Sequence, residues 1–240
     1  MSQIPFFYHD GELLANALLS LHEDTAKHVV QVLRKKEGDL IQLNNGNGRT
    51  ALATLTSAGK RHCEVHVQSP EQHAAPVTKL HLAVAFTKNA SRNEWLLEKA
   101  TELGVSSVTP LLSERTEREK FREDRARNIL ISAMLQSQQY YLPELYAPST
   151  LKQIAERADI NTLKLIAHCD PQSTRNPISK VLSAGKDAWI LIGPEGDFSP
   201  AEIARMEASG FAGIALCEQR LRTETAAMAV CAYFNLLNGK

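Results

Sequence analysis

The sequence predicts an α/β protein in which a small β-barrel precedes a larger domain built on a parallel sheet. From residue 80 onward, apolar stretches of strand length alternate with helical stretches, the rhythm of strand–helix–strand units in a parallel sheet. Residues 4–67 instead hold several short runs and one helical pattern, which fits a small barrel. The third observation is local. At residues 189–202 an apolar run, Trp189-Ile190-Leu191-Ile192, breaks into Gly193-Pro194-Glu195-Gly196-Asp197-Phe198 and restarts at Ser199-Pro200-Ala201-Glu202. A strand, a turn rich in glycine and a capped helix follow one another there, and ligands of open α/β sheets sit at such strand ends.

In the first half, residues 4–8 read as a strand and His9-Asp10-Gly11 as a turn. Ser20-Leu21-His22-Glu23 has the form of a capping box, opening a helix with Ala26, Val29, Val30 and Leu33 at helical spacing. Arg34-Lys35-Lys36 suits the carboxyl end of that helix. Residues 40–43, 50–56 and 63–67 read as strands, with Asn44-Asn45-Gly46-Asn47-Gly48 as a hairpin turn. Residues 70–76, polar and flanked by prolines, read as a linker, and the domains are drawn at 1–72 and 73–240.

In the second half, residues 80–86 and 105–112 read as strands around a helix capped by Ser91-Arg92-Asn93-Glu94 and ended by Gly104. Residues 129–138, 151–157 and 177–182 read as helices, and 163–167 as a strand that ends at His168-Cys169. Ser199 is an N-cap, Pro200 suits the first helical position and Glu202 completes a capping box. After one more strand, residues 216–225 lead into an apolar helix at 226–237.

Lysine plus arginine and aspartate plus glutamate both number 27, so the net charge is zero and gives no whole-chain argument for a nucleic acid partner. Basic residues cluster locally at 34–36 and, mixed with acids, at Arg115, Arg118, Lys120, Arg122, Arg125 and Arg127. Each cluster reads either as a solvated helix face or as a phosphate contact. Cys63, Cys169, Cys217 and Cys231 lack metal-ligand spacing and are expected as free, mostly buried thiols in a reducing compartment. No metal site is expected, and His168 reads as a structural histidine. No apolar run has membrane-spanning length and no signal-peptide pattern opens the chain, so a cytoplasmic protein without a membrane partner is expected. The glycines fit neither the dinucleotide fingerprint nor a Walker motif; by itself the glycine loop reads as a tight turn.

Ile192-Gly193-Pro194-Glu195-Gly196 with Phe198-Ser199 and Glu202, and then Leu221-Arg222-Thr223-Glu224-Thr225-Ala226, resemble the SPOUT-class methyltransferases. In particular, the chain resembles the family that methylates N3 of a uridine in 16S rRNA of the small ribosomal subunit. Lys88, Arg92, Glu94, the run from Lys99 to Val105 and Pro110 match a second segment of that family, as do His28, Val32-Leu33-Arg34 and Gly38-Asp39 in the N-terminal part. The resemblance implies a PUA-like RNA-binding β-barrel, a SPOUT-type α/β domain with a trefoil knot, a homodimer, and S-adenosylmethionine as cofactor. It implies cofactor contacts at His168, Ile192, Gly193, Pro194, Gly196, Leu216, Cys217 and Leu221, and RNA contacts at Arg34, Lys35, Arg92 and Arg115.

For catalysis the resemblance points to Arg222 and Glu224. Uracil N3 carries a proton, so its methylation needs a base or a stabiliser of the uracil anion. Arg222, with a fixed charge, suits the second task. Glu224 could accept the proton, bind ribose or pair with Arg222, and Thr223 reads from the residues alone as a helix N-cap. The chain departs from the family pattern at Asp197 and Cys217, where glycines stand, at Gln219 in place of an arginine, and at Arg220 in place of an apolar residue. Two other readings follow: a methyltransferase for a different RNA nucleotide, from Gln219 and from Gln138, whose segment also departs from the family pattern, or an RNA-binding ribosome assembly protein without catalysis, from Cys217, Asp197 and the neutral net charge.

Overall fold

The computed structural model describes residues 4–59, 62–117 and 121–239. It divides into two compact units, Met1–Ala75 with Met134–Leu142, and Pro76–Ala133 with Pro143–Lys240.

The first unit is a five-stranded sheet of β1 (Phe6–Tyr8), β2 (Leu18–Ser20), β3 (Leu40–Asn44), β4 (Arg49–Ala58) and β5 (Cys63–Gln72), in the order β1-β3-β4-β5-β2, with one short helix, α1 (Glu23–Lys27). Alternate residues turn Ile41, Leu43, Ala51, Ala53, Leu55, Val65 and Val67 inward, onto Leu13, Ala26 and Val29. Two register shifts between β4 and β5 curve the pair. The expected capping box at Ser20 does not form. Ser20 is the last residue of β2, paired with Glu64, and the N-cap is His22 with no side-chain bond. The expected helix also loosens after Lys27 into a π-helical turn, His28–Val32, before Arg34 takes a left-handed φ of 53°. Residues 70–72 are not linker: β5 continues to Gln72, with Pro70 opposite Ala51. Proline is tolerated in a strand where no ladder bond needs its missing N–H.

The Met134–Leu142 segment is bound into this unit by its main chain. Asn44 Nδ2 donates to Gln139 O at 2.8 Å, Leu142 N donates to Gly46 O at 2.8 Å, and the Tyr140 ring stacks on His73 with centroids 3.5 Å apart. Gly48 has φ 78°, and a Cβ there would collide with the Tyr141 ring, so the hairpin needs glycine for both conformation and space.

The second unit runs β6 (Leu80–Val84), α2 (Ala90–Glu102), β7 (Ser107–Leu112), α3 (Glu123–Gln136, of which Met134 onward is counted with the first unit), β8 (Glu144–Leu145), β9 (Ser149–Thr150), α4 (Leu151–Arg157), β10 (Leu163–Ala167), β11 (Asn176–Pro177), α5 (Ile178–Val181), β12 (Ala188–Ile192), α6 (Pro200–Ala208), β13 (Ala212–Ala215) and α7 (Thr223–Leu237). Its sheet order is β11-β13-β10-β12-β6-β7-β8, and β9 pairs with β7. All of these pairings are parallel. Every residue of β12 is buried, as a central parallel strand requires. One core cluster holds Ala83, Ile166, Trp189, Leu191, Phe198, Ile203, Met206 and Phe211. α7 packs on α2, β6 and β12 through Ala227, Val230, Cys231 and Phe234.

Several boundaries differ from expectation. The cap of α2 is Asn89, not Ser91; the Asn89 side chain accepts from Arg92 N. The helix expected at 129–138 begins at Glu123 and stops at Gln136, because Gln138 takes φ 56°. Thr223 is not the N-cap of α7; Arg222 is. Cys63 and Cys231 are buried, but Cys169 and Cys217 are exposed. Among the described residues, no helix is long and apolar enough to cross a membrane.

Candidate active site

β13 and β12 flank β10 in the sheet, and all three run the same way. The segments that follow them, 168–175, 193–199 and 216–222, therefore emerge together at the carboxyl edge. They enclose a narrow cleft of about 80 Å³. Ile192, Gly193 and Pro194 line it from the middle segment, Leu216, Cys217 and Leu221 from the last, and His168 and Arg175 from the first. Ala226 also lines it, and Glu195, Asp197, Gln219, Arg220 and Thr223 add polar groups.

The cleft thus brings together His168, Ile192, Gly193, Pro194, Leu216, Cys217 and Leu221 from the sequence-predicted cofactor residues. Gly196 is not among the lining residues. It faces Arg115, whose side-chain carbons would lie 3.2 Å from a Cβ at that position.

The path of the middle loop is fixed through its carbonyls. Gly193 O accepts from Thr223 Oγ1 at 3.0 Å, Pro194 O from Asp197 N at 2.9 Å, Glu195 O from Arg220 Nη2 at 2.8 Å, and Gly196 O from Arg115 Nη1 at 2.6 Å. The loop ends where α6 begins, at the foreseen capping box. Ser199 Oγ accepts from Glu202 N, and Glu202 Oε2 accepts from Ser199 N. Glu202 is 2% exposed, and its other oxygen accepts from Glu114 N at 2.8 Å, so this buried carboxylate is satisfied on both sides.

His168 is 4% exposed and, among the described residues, neither ring nitrogen has a hydrogen-bond partner. Burial pushes its pKa below the usual histidine value, with Asp197 pulling the other way, so the ring is a neutral, unpaired polar group at the cleft wall. The 168–175 segment also passes tightly over β13. A Cβ at Gly213 would stand 2.5 Å from Thr174 O and 2.8 Å from His168 Nε2.

Arg222 is exposed at the start of α7, and its guanidinium makes no hydrogen bond or ion pair within the described residues. Glu224 does not pair with it. The Glu224 carboxylate, 12% exposed, lies 3.5 Å from Arg92 Nη1, so two residues expected in separate roles meet each other. In the first unit, Arg34 is exposed and Lys35 half-buried at the end of the π-helical turn. Arg118 and Lys120 lie outside the described residues.

A second cavity, about 760 Å³, lies among α2, α3 and the segments after β6 and β7, with Phe86, Leu97, Leu111, Phe121 and Ile129 in its walls. Its volume is larger, yet Arg125 at its edge is already paired with Glu94 at 2.7 Å. The narrow cleft is the better candidate, because three strand-end loops, the middle one with turn glycines, and an unpaired buried imidazole converge there. No cluster of three potential metal-ligating side chains occurs among the described residues. Sequence reasoning missed Arg175, which carries no motif of its own and reaches the site by donating to His168 O at 3.1 Å.

An RNA methyltransferase domain model matches residues 73–235, and an RNA methyltransferase PUA domain model matches residues 21–68. A PUA-like domain followed by a parallel-sheet domain with this cleft defines a class, the two-domain RNA methyltransferases. Ribosomal RNA small subunit methyltransferase E of Rickettsia conorii is 30% identical over 236 residues, covering 96% of this chain and 94% of the relative; that of Bacillus subtilis is 27% identical, covering 86% and 85%. Among solved structures, a probable rRNA-methyltransferase from Porphyromonas gingivalis superposes with TM-score 0.91 at 35% identity, covering 98% of this chain and 99% of that one. A ribosomal RNA small subunit methyltransferase E from Neisseria gonorrhoeae bound to S-adenosyl methionine gives TM-score 0.83 at 25% identity, covering 98% of each. The chain belongs to the ribosomal RNA small subunit methyltransferase E family.

Proposed function

We propose that the protein transfers a methyl group from S-adenosylmethionine to N3 of a uridine in 16S rRNA of the small ribosomal subunit. The observation that carries this reading is the convergence of the 193–198 and 216–222 loops on one cleft. The residues present fit the cofactor. Ile192, Leu216, Leu221 and Ala226 give an adenine ring apolar surface, Glu195 offers an acceptor for hydroxyl or ammonium groups, and among the described residues the His168 ring has both nitrogens unpaired. When bound, the cofactor supplies a methyl group already activated on a sulfonium.

The protein's task is then alignment and charge. Holding two reactants in line can lower a barrier by at most about 7–11 kcal/mol. Arg222, exposed and unpaired among the described residues at the N-cap of α7, is the cation assigned to the uracil oxygens as N3 gives up its proton to solvent water. Glu224, held by Arg92, takes a positioning role in this reading: the pair fixes the first turn of α7 against α2, from which Arg222 projects. Arg34, Lys35 and Arg115 are the proposed phosphate contacts. Arg115 spends one of its five N–H donors on Gly196 O and has others to offer.

The reading includes a trefoil knot, supported by strand order. β13, the last strand in the sequence, lies between β10 and β11, which the 168–175 segment joins directly, and that segment lies hard against Gly213 of β13. It also includes a homodimer, tested by sedimentation equilibrium, and a cytoplasmic location, as its substrate requires.

The test of function uses rRNA from a strain lacking the gene, incubated with the protein and methyl-labelled cofactor, followed by mapping of the modified nucleotide. The expected product is one N3-methyluridine in 16S rRNA. Methylation of another nucleotide would refute the substrate assignment, and no transfer despite cofactor binding would refute the activity.

A further inference from the structure

We infer that Asp197 is a positioning residue of the cofactor site: its carboxylate ties the loop after β12 to the loop after β10 and holds the cleft in its binding shape. This rests on the cofactor reading above. Asp197 has φ 62°, a left-handed conformation that costs strain for any residue with a side chain and is most tolerable for asparagine and aspartate. The side chain answers that strain with two bonds. Oδ2 accepts from Cys169 N at 2.7 Å, across to the neighbouring loop, and Oδ1 accepts from Phe198 N at 2.8 Å. Both are hydrogen bonds to a charged acceptor, the stronger kind.

The position of the Cys169 bond gives it consequence. Cys169 directly follows His168, whose unpaired imidazole lines the cleft, so anchoring the Cys169 amide sets where that ring and the following turn stand. On the opposite flank, Arg220 Nη2 donates to Glu195 O at 2.8 Å. The middle loop is thereby tied to both of its neighbours by side chains that stand where the family pattern has glycine and an apolar residue. Because both carboxylate oxygens are engaged by main-chain amides, Asp197 acts through the backbone rather than on the reacting atoms. A glycine at 197 would relieve the strain and lose both ties, which separates the effect on the fold from the effect on the site.

The experiment compares the full-length wild type with Asp197→Gly and Asp197→Asn by calorimetric titration with S-adenosylmethionine, amide hydrogen exchange at Cys169, thermal melting and steady-state kinetics. Asp197→Gly should bind the cofactor about tenfold more weakly, the loss expected for one charge-assisted bond's worth of preorganisation. Its Cys169 amide should exchange faster, its melting temperature should stay within about 3 °C of wild type, and its kcat at saturating cofactor should stay within about twofold while KM rises. Asp197→Asn, which tolerates the same φ and keeps one acceptor oxygen, should fall between the two. Wild-type affinity and Cys169 protection in Asp197→Gly would overturn the proposal alone. Wild-type protein that binds no cofactor would overturn the reading beneath it, and the proposal with it.

Discussion

Replacing Thr223 by valine removes one hydroxyl and changes almost nothing else in shape. Thr223 is 4% exposed, and its Oγ1 donates to Gly193 O at 3.0 Å, tying the first turn of α7 to the start of the glycine loop. Gly193 is buried, so in Thr223→Val the carbonyl loses its side-chain donor where water has little access. An acceptor stranded in this way costs about 1–3 kcal/mol. Thr223→Ser is the control. It keeps the hydroxyl and loses one methyl group, for about 0.8 kcal/mol. Urea denaturation should therefore rank wild type above serine above valine, and cofactor affinity should fall in valine but hold in serine. A valine variant as stable as wild type, with unchanged affinity, would refute the idea that this bond organises the site.

Gly213→Ala should destabilise the protein by about 1–3 kcal/mol, read as a shift in the urea midpoint, because the new Cβ meets Thr174 O and His168 Nε2; an unshifted midpoint would show that the 168–175 segment is free to move off β13. Burial holds the folded-state pKa of His168 below its ordinary 6.5, so below that pH the unfolded chain binds a proton that the folded chain refuses. Its contribution to stability is complete above about pH 6.5 and falls as pH drops, by up to about 1.4 kcal/mol per unit until the folded pKa is reached. His168→Gln should remove that slope in denaturation curves recorded between pH 5 and 7.5. Arg222→Ala should lower methyl transfer at least about a hundredfold while leaving calorimetric cofactor affinity near wild type, since Arg222 does not line the cleft.

What the sequence made legible was local. The capping box at Ser199 and Glu202 closes over three residues, so its pattern could be read directly, as could the all-apolar β12 and the glycine stop at Gly104, with φ 73°. Where the partner is distant the same kind of residue misleads. Thr223 carries N-cap chemistry, yet its hydroxyl bonds a carbonyl 30 residues away. Ser20 carries the letters of a capping box, yet the β2–β5 ladder takes it first. The Met134–Leu142 segment looks like a helix end, but packing against Asn44, Gly46 and His73 assigns it to the first unit.

The site follows the same division. The residues expected to bind cofactor from the two C-terminal motifs, Gly196 excepted, meet in one cleft, because parallel neighbours deliver their loops to one edge. The ties made by Arg115, Arg220 and Asp197 were not legible, since each joins segments whose proximity only the sheet order creates. The pairing of Arg92 with Glu224 was hidden for the same reason, being a contact between α2 and α7.

Hydrogen exchange across the whole chain, with and without saturating S-adenosylmethionine, tests most directly whether three strand-end loops form the methyl-donor site. The structure predicts slowed exchange concentrated in 168–175, 193–199 and 216–222. Protection centred instead on the larger cavity between α2 and α3, or no protection at millimolar cofactor, would contradict it.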